Sequence, residues 1–309
     1  MPDNDALLDR LKRLKAERNA VILAHNYQLP EVQDAADFTG DSLELSKAAR
    51  DAPADVIVFC GVHFMAETAA ILCPGKTVLL PDESAGCPMA DMVTAEDVGA
   101  LRAEHPGAVV VCYVNSTAAV KAVCDVCCTS SNAVDVVARF PADTEIVFVP
   151  DRYLGDHVQQ ELGRALVLWP GYCPTHALLL EEHVAAARAA HPGAPILVHP
   201  ESRADVRDAA DAVLSTGGMV RFARESAAEV VVVGTEIGML HRLRKENPRA
   251  TFVPLFEGAV CENMKKIDLA KVIWSLEEMA PRIEVPPDVA ERARAAVDRM
   301  LVSPKVHRD

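Results

Sequence analysis

The chain has 309 residues, half of them hydrophobic, which is enough to bury a substantial core in about two or three domains. Its formal net charge of −14 excludes non-specific binding to nucleic acid and to an anionic membrane surface, because both would repel it. The first residues lack the apolar centre of a signal peptide, and no apolar run approaches the roughly 20 residues of a membrane span, so a cytoplasmic protein is predicted. There, the nine cysteines stay reduced and act as core residues, metal ligands or catalytic thiols.

Nine short β-branched apolar runs alternate with alanine-rich amphipathic stretches, a pattern typical of a parallel α/β fold. In chain order they are VILAH, VIVFCG, TVLLPD, VVVCYV, EIVFVPD, ALVLWPG, ILVHP, EVVVVGT and TFVPLFEG. They form three sets of three. Within each set there is room for a helix, a short extra strand and another helix between the first and second runs, where ADFTGDS, VCCTSS and VLSTGG lie.

The sequence therefore predicts three αβα sandwich domains with small parallel sheets, related by a pseudo-threefold axis around a central cavity. The expected units are 1–104, which includes an N-terminal helix, 105–191 and 192–280. Residues 281–309 are expected to form a helical tail. In it, VPPDVAERARAAVDRMLVSP is typical of an amphipathic helix that begins at a proline and packs against the body of the protein.

Three kinds of position repeat at nearly constant spacing, which supports a triplicated unit. The first strand of each set ends, at separations of 88 and 86 residues, at His25, Tyr113 and His199. A hydroxyl side chain follows 17 residues later in each case, at Ser42, Ser130 and Thr216. The third strand of each set is followed, at separations of 86 and 88 residues, by Cys87, Cys173 and Cys261.

All these positions lie at the carboxyl ends of predicted strands, where parallel sheets bind their ligands. If the three units face inward, each contributes a cysteine, a hydroxyl and a first-strand group to one cavity. Three converging thiolates suit an iron–sulfur cluster or a zinc ion. A [4Fe-4S] cluster with three cysteine ligands leaves one iron free to act as a Lewis acid, so a catalytic cluster is favoured over an electron carrier.

A second group of cysteines, Cys124, Cys127 and Cys128, is expected to have an ordinary packing role. Cys124 and Cys127 form a CxxC, which alone is a weak metal signal. In the other two units the same place holds 34–37 and 208–211, where the matched residues are aspartates. Glu67 and Glu236 also lie at strand ends, but they match no repeat spacing and are expected to be structural or supporting.

Seven segments together resemble one known family, quinolinate synthase, the A-protein of bacterial NAD biosynthesis. They are HNYQLPEVQDAADFTGDS, SAGCPMADM, CYVNSTAAVKA, CTSSNAV, HPES, VGTEIGMLHRLRKENP and AVCENMK. The resemblance runs in order from about residue 20 to residue 275. It implies a [4Fe-4S] enzyme that condenses iminoaspartate (iminosuccinate) with dihydroxyacetone phosphate to give quinolinate, phosphate and water, with a functional link to L-aspartate oxidase.

The resemblance also implies roles for individual residues. The implied cluster ligands are Cys87, Cys173 and Cys261. The implied substrate-binding residues are His25, Ser42, Tyr113, Asn115, Ser130, His199, Glu201, Ser215 and Thr216. Tyr113, Glu201, His199 and Tyr27 are the candidates for proton transfer. Serine and threonine hydroxyls at helix starts are expected to bind the anionic groups of both substrates. Some members of the family carry CxxCxxC at the third ligand, whereas this chain has only Cys261 there.

Two other interpretations remain open on the residues alone. A dinucleotide-dependent oxidoreductase would fit the strand pattern, but no GxGxxG follows any first strand. A non-enzymatic scaffold stabilised by zinc, or a sensor built on a cluster, would also use the three cysteines.

Overall fold

The computed structural model describes residues 4–301 and contains, within them, three parallel sheets of four strands. The strands are β1 (Ala20–His25), β2 (Phe38–Gly40), β3 (Val56–Cys60), β4 (Thr77–Leu79), β5 (Val109–Tyr113), β6 (Val126–Cys128), β7 (Ile146–Val149), β8 (Val167–Leu168), β9 (Ile196–Val198), β10 (Ala212–Val213), β11 (Val230–Gly234) and β12 (Thr251–Pro254). All nine predicted strands and the three short extra ones are confirmed.

The α-helices lie between and after these strands. They are α1 (Asn4–Arg18), α2 (Pro30–Ala35), α3 (Ser42–Asp51), α4 (His63–Leu72), α5 (Ala95–Glu104), α6 (Ala118–Lys121), α7 (Ala133–Ala138), α8 (Arg152–Leu162), α9 (Pro174–Ala177), α10 (Glu181–Ala190), α11 (Ala204–Ala209), α12 (Thr216–Glu225), α13 (Met239–Glu246), α14 (Leu269–Glu278) and α15 (Pro287–Leu301). Short 3-10 helices cover Ala90–Met92 and Met264–Lys266. In the part of the chain that the structure describes, no helix combines the length and the apolar character needed to cross a membrane.

The three sheets share one topology. Their strand orders are β2-β1-β3-β4, β6-β5-β7-β8 and β10-β9-β11-β12, so the first strand of each set is always central and the short extra strand always forms an edge. The predicted α/β architecture of three αβα units is thus confirmed. The central strands are covered by helices on both faces, which explains why their sequences are continuous apolar runs rather than alternating ones.

A triplicated aspartate that the sequence reasoning overlooked fixes each edge strand. Asp37, Asp125 and Asp211, separated by 88 and 86 residues, each precede the short strand of their unit. Each carboxylate accepts a 2.8 Å hydrogen bond from a backbone N–H of the neighbouring first strand, namely that of Ile22, Val110 and Ile196. Each also pairs with a cation from the helix that precedes the first strand of its unit, namely Lys15 in α1, Arg102 in α5 and Arg188 in α10.

Replacing Asp211 by alanine is expected to destabilise the third sheet. The change leaves the Ile196 N–H without its acceptor and removes the partner of Arg188. Because the aspartate side chain is 41% exposed, water compensates in part, and we expect the free energy of unfolding to fall by about 1–2 kcal/mol. The urea midpoint measures the loss.

Asp208→Ala is the matched control, since Asp208 is an exposed aspartate on the same connection. Its urea midpoint should equal that of the wild type. Equal midpoints for both variants would show that the triplicated aspartate does not stabilise the edge strand.

The predicted tail helix is confirmed as α15, which begins at Pro287 and buries Ala293, Val297 and Met300 against the body of the protein. Residues 302–309 of the expected tail lie outside the described residues. The Asn132 amide donates a 3.2 Å hydrogen bond to the carbonyl of Met300, so α15 is tied to the turn that precedes α7.

Candidate active site

A cavity of about 260 Å³ lies at the junction of the three units. Its walls bring together twelve of the thirteen residues named from the sequence: His25, Tyr27, Ser42, Cys87, Tyr113, Asn115, Ser130, Cys173, His199, Glu201, Thr216 and Cys261. Ser215 does not line it. The residues come from strand ends in all three units, as expected for parallel sheets whose carboxyl edges face one point.

The three cysteine loops are anchored in the same way. In each unit, the third residue after β3, β7 or β11 donates its N–H to the carbonyl two residues before the cysteine. These bonds are His63 to Ala85 at 2.8 Å, Arg152 to Gly171 at 2.8 Å and Ile237 to Ala259 at 3.0 Å. Each cysteine then starts a short helical turn. The repeat in sequence therefore corresponds to a repeat in backbone hydrogen bonding.

The thiols of these cysteines lie where helical turns present N–H groups. Each sulfur receives a hydrogen bond from the backbone of the residue three positions later, at Ala90, His176 and Met264. Burial raises the pKa of all three thiols, that of Cys87 to about 12. The charge of Cys261 raises the pKa of Cys87 further, and that of Cys87 raises the pKa of Cys173.

This donor set fits an iron–sulfur cluster. The three sulfurs line one cavity, they are close enough to influence one another's charge, and each already has an N–H partner of the kind that tunes cluster thiolates. Raised thiol pKa values also mean that binding must release protons, as metal–thiolate formation generally does.

His25 and His199 occupy equivalent strand ends and have the same tautomer. The Nδ1 atom of His25 accepts from the N–H of Tyr27 at 3.2 Å, and that of His199 accepts from the N–H of Glu201 at 3.3 Å. Burial lowers the pKa of both imidazoles to about 3. At neutral pH each ring is thus uncharged, carries its proton on Nε2 and can donate it to a ligand.

A chain of side-chain contacts crosses the cavity wall and links two tyrosines. Tyr113 donates to Glu201 Oε1 through its hydroxyl, and Glu201 Oε2 lies 2.6 Å from Nδ1 of His176. On the other side, Nε2 of His176 lies 2.8 Å from the Thr235 hydroxyl, which is 2.6 Å from the Tyr27 hydroxyl. The five side chains come from all three units, and all are buried.

Glu201 is the central group of that chain. Burial alone would raise its pKa, but the contacts with His176, His199 and Tyr113 outweigh burial and lower the pKa. In contrast, burial followed by the charge of Glu201 raises the pKa of both Tyr27 and Tyr113. The site therefore holds an ionised carboxylate that accepts from the Tyr113 hydroxyl and is connected to Tyr27 through His176 and Thr235.

The repeated hydroxyls do not all lie at helix starts. Ser42 begins α3 and Thr216 begins α12, as expected, but Ser130 lies in the turn before α7 because Asn132 takes the capping position. The Asn132 Oδ1 accepts from the Thr129 N–H at 2.7 Å, which shapes that turn. Ser215 is the N-cap of α12, and its hydroxyl accepts from the Gly218 N–H at 3.2 Å.

With this geometry established, the comparisons with known proteins assign the family. The family model described as "Quinolinate synthetase A protein" matches residues 9–302. Quinolinate synthase of Thermus thermophilus is 56% identical over 306 residues, covering 96% of this chain and 97% of that protein. Those of Dehalococcoides mccartyi (55% over 292 residues, 94% and 96% covered) and Methanoregula boonei (53% over 301 residues, 97% and 99% covered) are similarly close.

The chain belongs to the quinolinate synthetase A family. It is an enzyme of the quinolinate synthase type, and the resemblance read from the sequence is confirmed. The quinolinate synthetase A match covers nearly the whole described chain, so the three units and the central cavity all belong to the part that the family shares.

The repeat spacing gives no signal for His176, a central residue of this quinolinate synthetase A site. It follows Cys173 by three residues, where the other units have Ala90 and Met264. Donor atoms of Cys173, His176 and Glu201 lie within 4.8 Å of one another and form a group that could hold a metal ion. In this structure Nδ1 of His176 lies 2.6 Å from Glu201 Oε2 and 3.2 Å from Cys173 Sγ, and its Nε2 lies 2.8 Å from the Thr235 hydroxyl.

Asp41 is a second residue that sequence reasoning missed. It lines the cavity, caps α3 by accepting from the Glu44 N–H at 2.8 Å, and accepts from the Ser131 hydroxyl at 2.5 Å. It therefore joins the hydroxyl turns of the first and second units. A capping aspartate before Ser42 was the available signal.

The cysteines of the second group lie away from the cavity wall. Cys127 and Cys128 are buried in β6, and Cys124 precedes that strand. None of the three lines the quinolinate synthetase A cavity within the described residues. This placement agrees with the packing role expected from the sequence.

Proposed function

We propose that the chain condenses iminoaspartate with dihydroxyacetone phosphate to give quinolinate, phosphate and water, on a [4Fe-4S] cluster held by Cys87, Cys173 and Cys261. The observation that carries the proposal is the convergence of one thiol from each unit on a cavity that is also lined by the nine other predicted residues named above. A cluster with three cysteine ligands would supply one open iron that acts as a Lewis acid toward substrate oxygens.

Binding of the two anionic substrates falls to uncharged donors, since no lysine or arginine lines the cavity in the described chain. The hydroxyls of Ser42, Ser130 and Thr216, the helix starts beside them and the Asn115 amide supply hydrogen bonds. The Oδ1 of Asn115 is buried and has no partner within the described chain, so it is free to accept one. Neutral His25 and His199 donate from Nε2.

Proton movement falls to the carboxylate and the tyrosines. Glu201, held ionised, accepts the proton that enolisation removes, and the O–H of Tyr113 returns a proton during dehydration. Tyr27 reaches the same carboxylate through Thr235 and His176. The condensation is redox-neutral overall: a C–C and a C–N bond form while phosphate and water leave, so the proton transfers need no external oxidant or reductant.

The decisive experiment is anaerobic purification followed by an assay with both substrates. We expect a brown protein with about four irons and four sulfides per chain, which forms quinolinate only when both substrates are present. A colourless protein with stoichiometric zinc would reject the cofactor and favour the scaffold. An iron-loaded protein that makes no quinolinate would reject the proposed substrates alone.

The proposal also places the protein beside an enzyme that oxidises L-aspartate. Iminoaspartate hydrolyses readily, so a source such as L-aspartate oxidase in the same cytoplasm would have to supply it. Quinolinate formation from L-aspartate, coupled through that oxidase, tests the link directly.

A further inference from the structure

A buried ion pair connects the loop of the third cysteine to the first unit. Glu236 follows β11 and is 1% exposed, and Lys265 lies in the short helix after Cys261. The Nζ atom of Lys265 is 2.9 Å from Oε1 and 3.1 Å from Oε2 of the carboxylate. Glu236 was expected to be structural or supporting, and the contacts of the pair show what it supports.

Both partners bind backbone groups of the site. The Glu236 carboxylate accepts from the N–H of Cys261 at 3.1 Å and from the N–H of Gly238 at 2.7 Å. The Lys265 ammonium also donates to the carbonyl of Tyr27. One pair thus holds the peptide of a cysteine from the third unit and the peptide of a tyrosine from the first.

Gly238 permits this close approach. A Cβ at that position would lie 2.6 Å from Lys265 Nζ, 2.7 Å from the Tyr27 carbonyl and 2.8 Å from Glu236 Oε2. These distances are too short for any side chain. The absence of a side chain at Gly238 therefore leaves room for Lys265 Nζ, the Tyr27 carbonyl and the Glu236 carboxylate to meet.

The fold of a cysteine loop does not require such a pair. The residue before the anchoring N–H is Glu236 in the third unit, Asp151 in the second and Val62 in the first. Val62 has no side-chain acceptor. Asp151 faces the backbone N–H groups of Leu154 and Cys173, but it has no cation partner among the described residues. All three loops nevertheless have the same anchor, so the pair adds something that the anchor does not supply.

We propose that Glu236 and Lys265 form a positioning pair that fixes the Cys261 thiol and the Tyr27 side chain relative to each other. The inference rests on the proposed function, because only that proposal makes Cys261 a cluster ligand and Tyr27 a proton-transfer group. Glu236 lines the cavity, but its carboxylate oxygens are engaged by the N–H groups of Cys261 and Gly238 and by Lys265, so we assign it to positioning rather than to contact with substrate. The role of the pair is to hold geometry, since Cys261 and Tyr27 belong to different units that contact each other across the cavity.

The variant that tests this is Glu236→Gln combined with Lys265→Met. Removing one partner alone leaves an unpaired buried charge and destabilises the protein, whereas removing both leaves the net charge of the site unchanged. The single variants E236Q and K265M are included to show that difference. Asp34→Asn is the matched control, because Asp34 pairs with His241 and Lys245 between the same two units at the surface.

The first readout needs no cluster. In reduced, metal-free protein, alkylation rates of individual cysteines are measured by mass spectrometry, with Cys87 as internal reference. We expect the Cys261 to Cys87 rate ratio to rise by about fivefold in the double variant and to stay unchanged in D34N. Because Glu236 raises and Lys265 lowers the pKa of the Cys261 thiol, the rates are measured as a function of pH. A rise of the ratio at every pH reports a looser loop, whereas a shifted pH profile alone reports a changed local potential and overturns the inference.

The second readout uses the loaded enzyme. Chelator-driven iron loss should be about 10–100-fold faster in the double variant. kcat should fall by about 100-fold while KM changes little, since a misplaced group lowers the rate more than it weakens binding. An unchanged alkylation ratio would overturn the inference. If the wild type holds no iron, the proposed cofactor fails, and the alkylation ratio still decides whether the pair positions Cys261.

Discussion

Alanine at Cys87, Cys173 or Cys261 is expected to abolish both iron retention and quinolinate formation. Each sulfur lines the shared cavity and receives a backbone N–H at the start of a helical turn. Losing a residue that hydrogen-bonds to a metal ligand commonly lowers metal affinity or activity by about 10–100-fold. Losing the ligand itself should therefore cost at least about 100-fold. Iron and sulfide content, the visible absorbance and the quinolinate assay measure the effect.

Cys124→Ala is the matched control for these variants. Cys124 is half-buried like the three candidate ligands, but it lies before β6 and outside the cavity wall. Its iron content and activity should equal those of the wild type. Retention of the cluster in any of the three ligand variants, or its loss in the Cys124 variant, would contradict the assignment of the cysteines.

The sheets could be predicted because parallel strands buried on both faces have a continuous apolar sequence. The candidate ligands could be predicted because the backbone of a unit repeats, so that equal spacing in sequence becomes an equal place at a strand end. Cys87, Cys173 and Cys261 follow their anchoring carbonyls by two residues in every copy. Spacing alone was sufficient to place them in one cavity.

Side-chain contacts between different units could not be read in that way. His176 has alanine and methionine at the equivalent positions, so the repeat provides no signal for it. Its contacts with Glu201 and Thr235 arise only when the second and third units meet. Ser215 shows the converse, since a hydroxyl next to a repeated position was expected in the cavity, and instead it caps α12.

Gln in place of Glu201 is expected to lower kcat by about 100- to 10,000-fold while leaving the cluster and the fold in place. Glutamine has the same shape and still accepts from Tyr113 at Oε1. Its amide presents N–H groups to Nδ1 of His176, where the carboxylate now lies at 2.6 Å. The variant thus loses the negative charge and the proton acceptor at the centre of the contacts that connect Tyr113 with Tyr27.

Glu67→Gln provides the control. Glu67 is also a partly buried carboxylate, in α4, and it accepts a 3.0 Å hydrogen bond from the Ala118 N–H outside the cavity wall. Its kcat should match that of the wild type. Because Glu201 acts on a proton rather than on substrate affinity, kcat and kcat/KM should fall together in E201Q. A rise in KM with kcat unchanged would assign Glu201 to binding and transfer proton movement to the tyrosines and histidines around it.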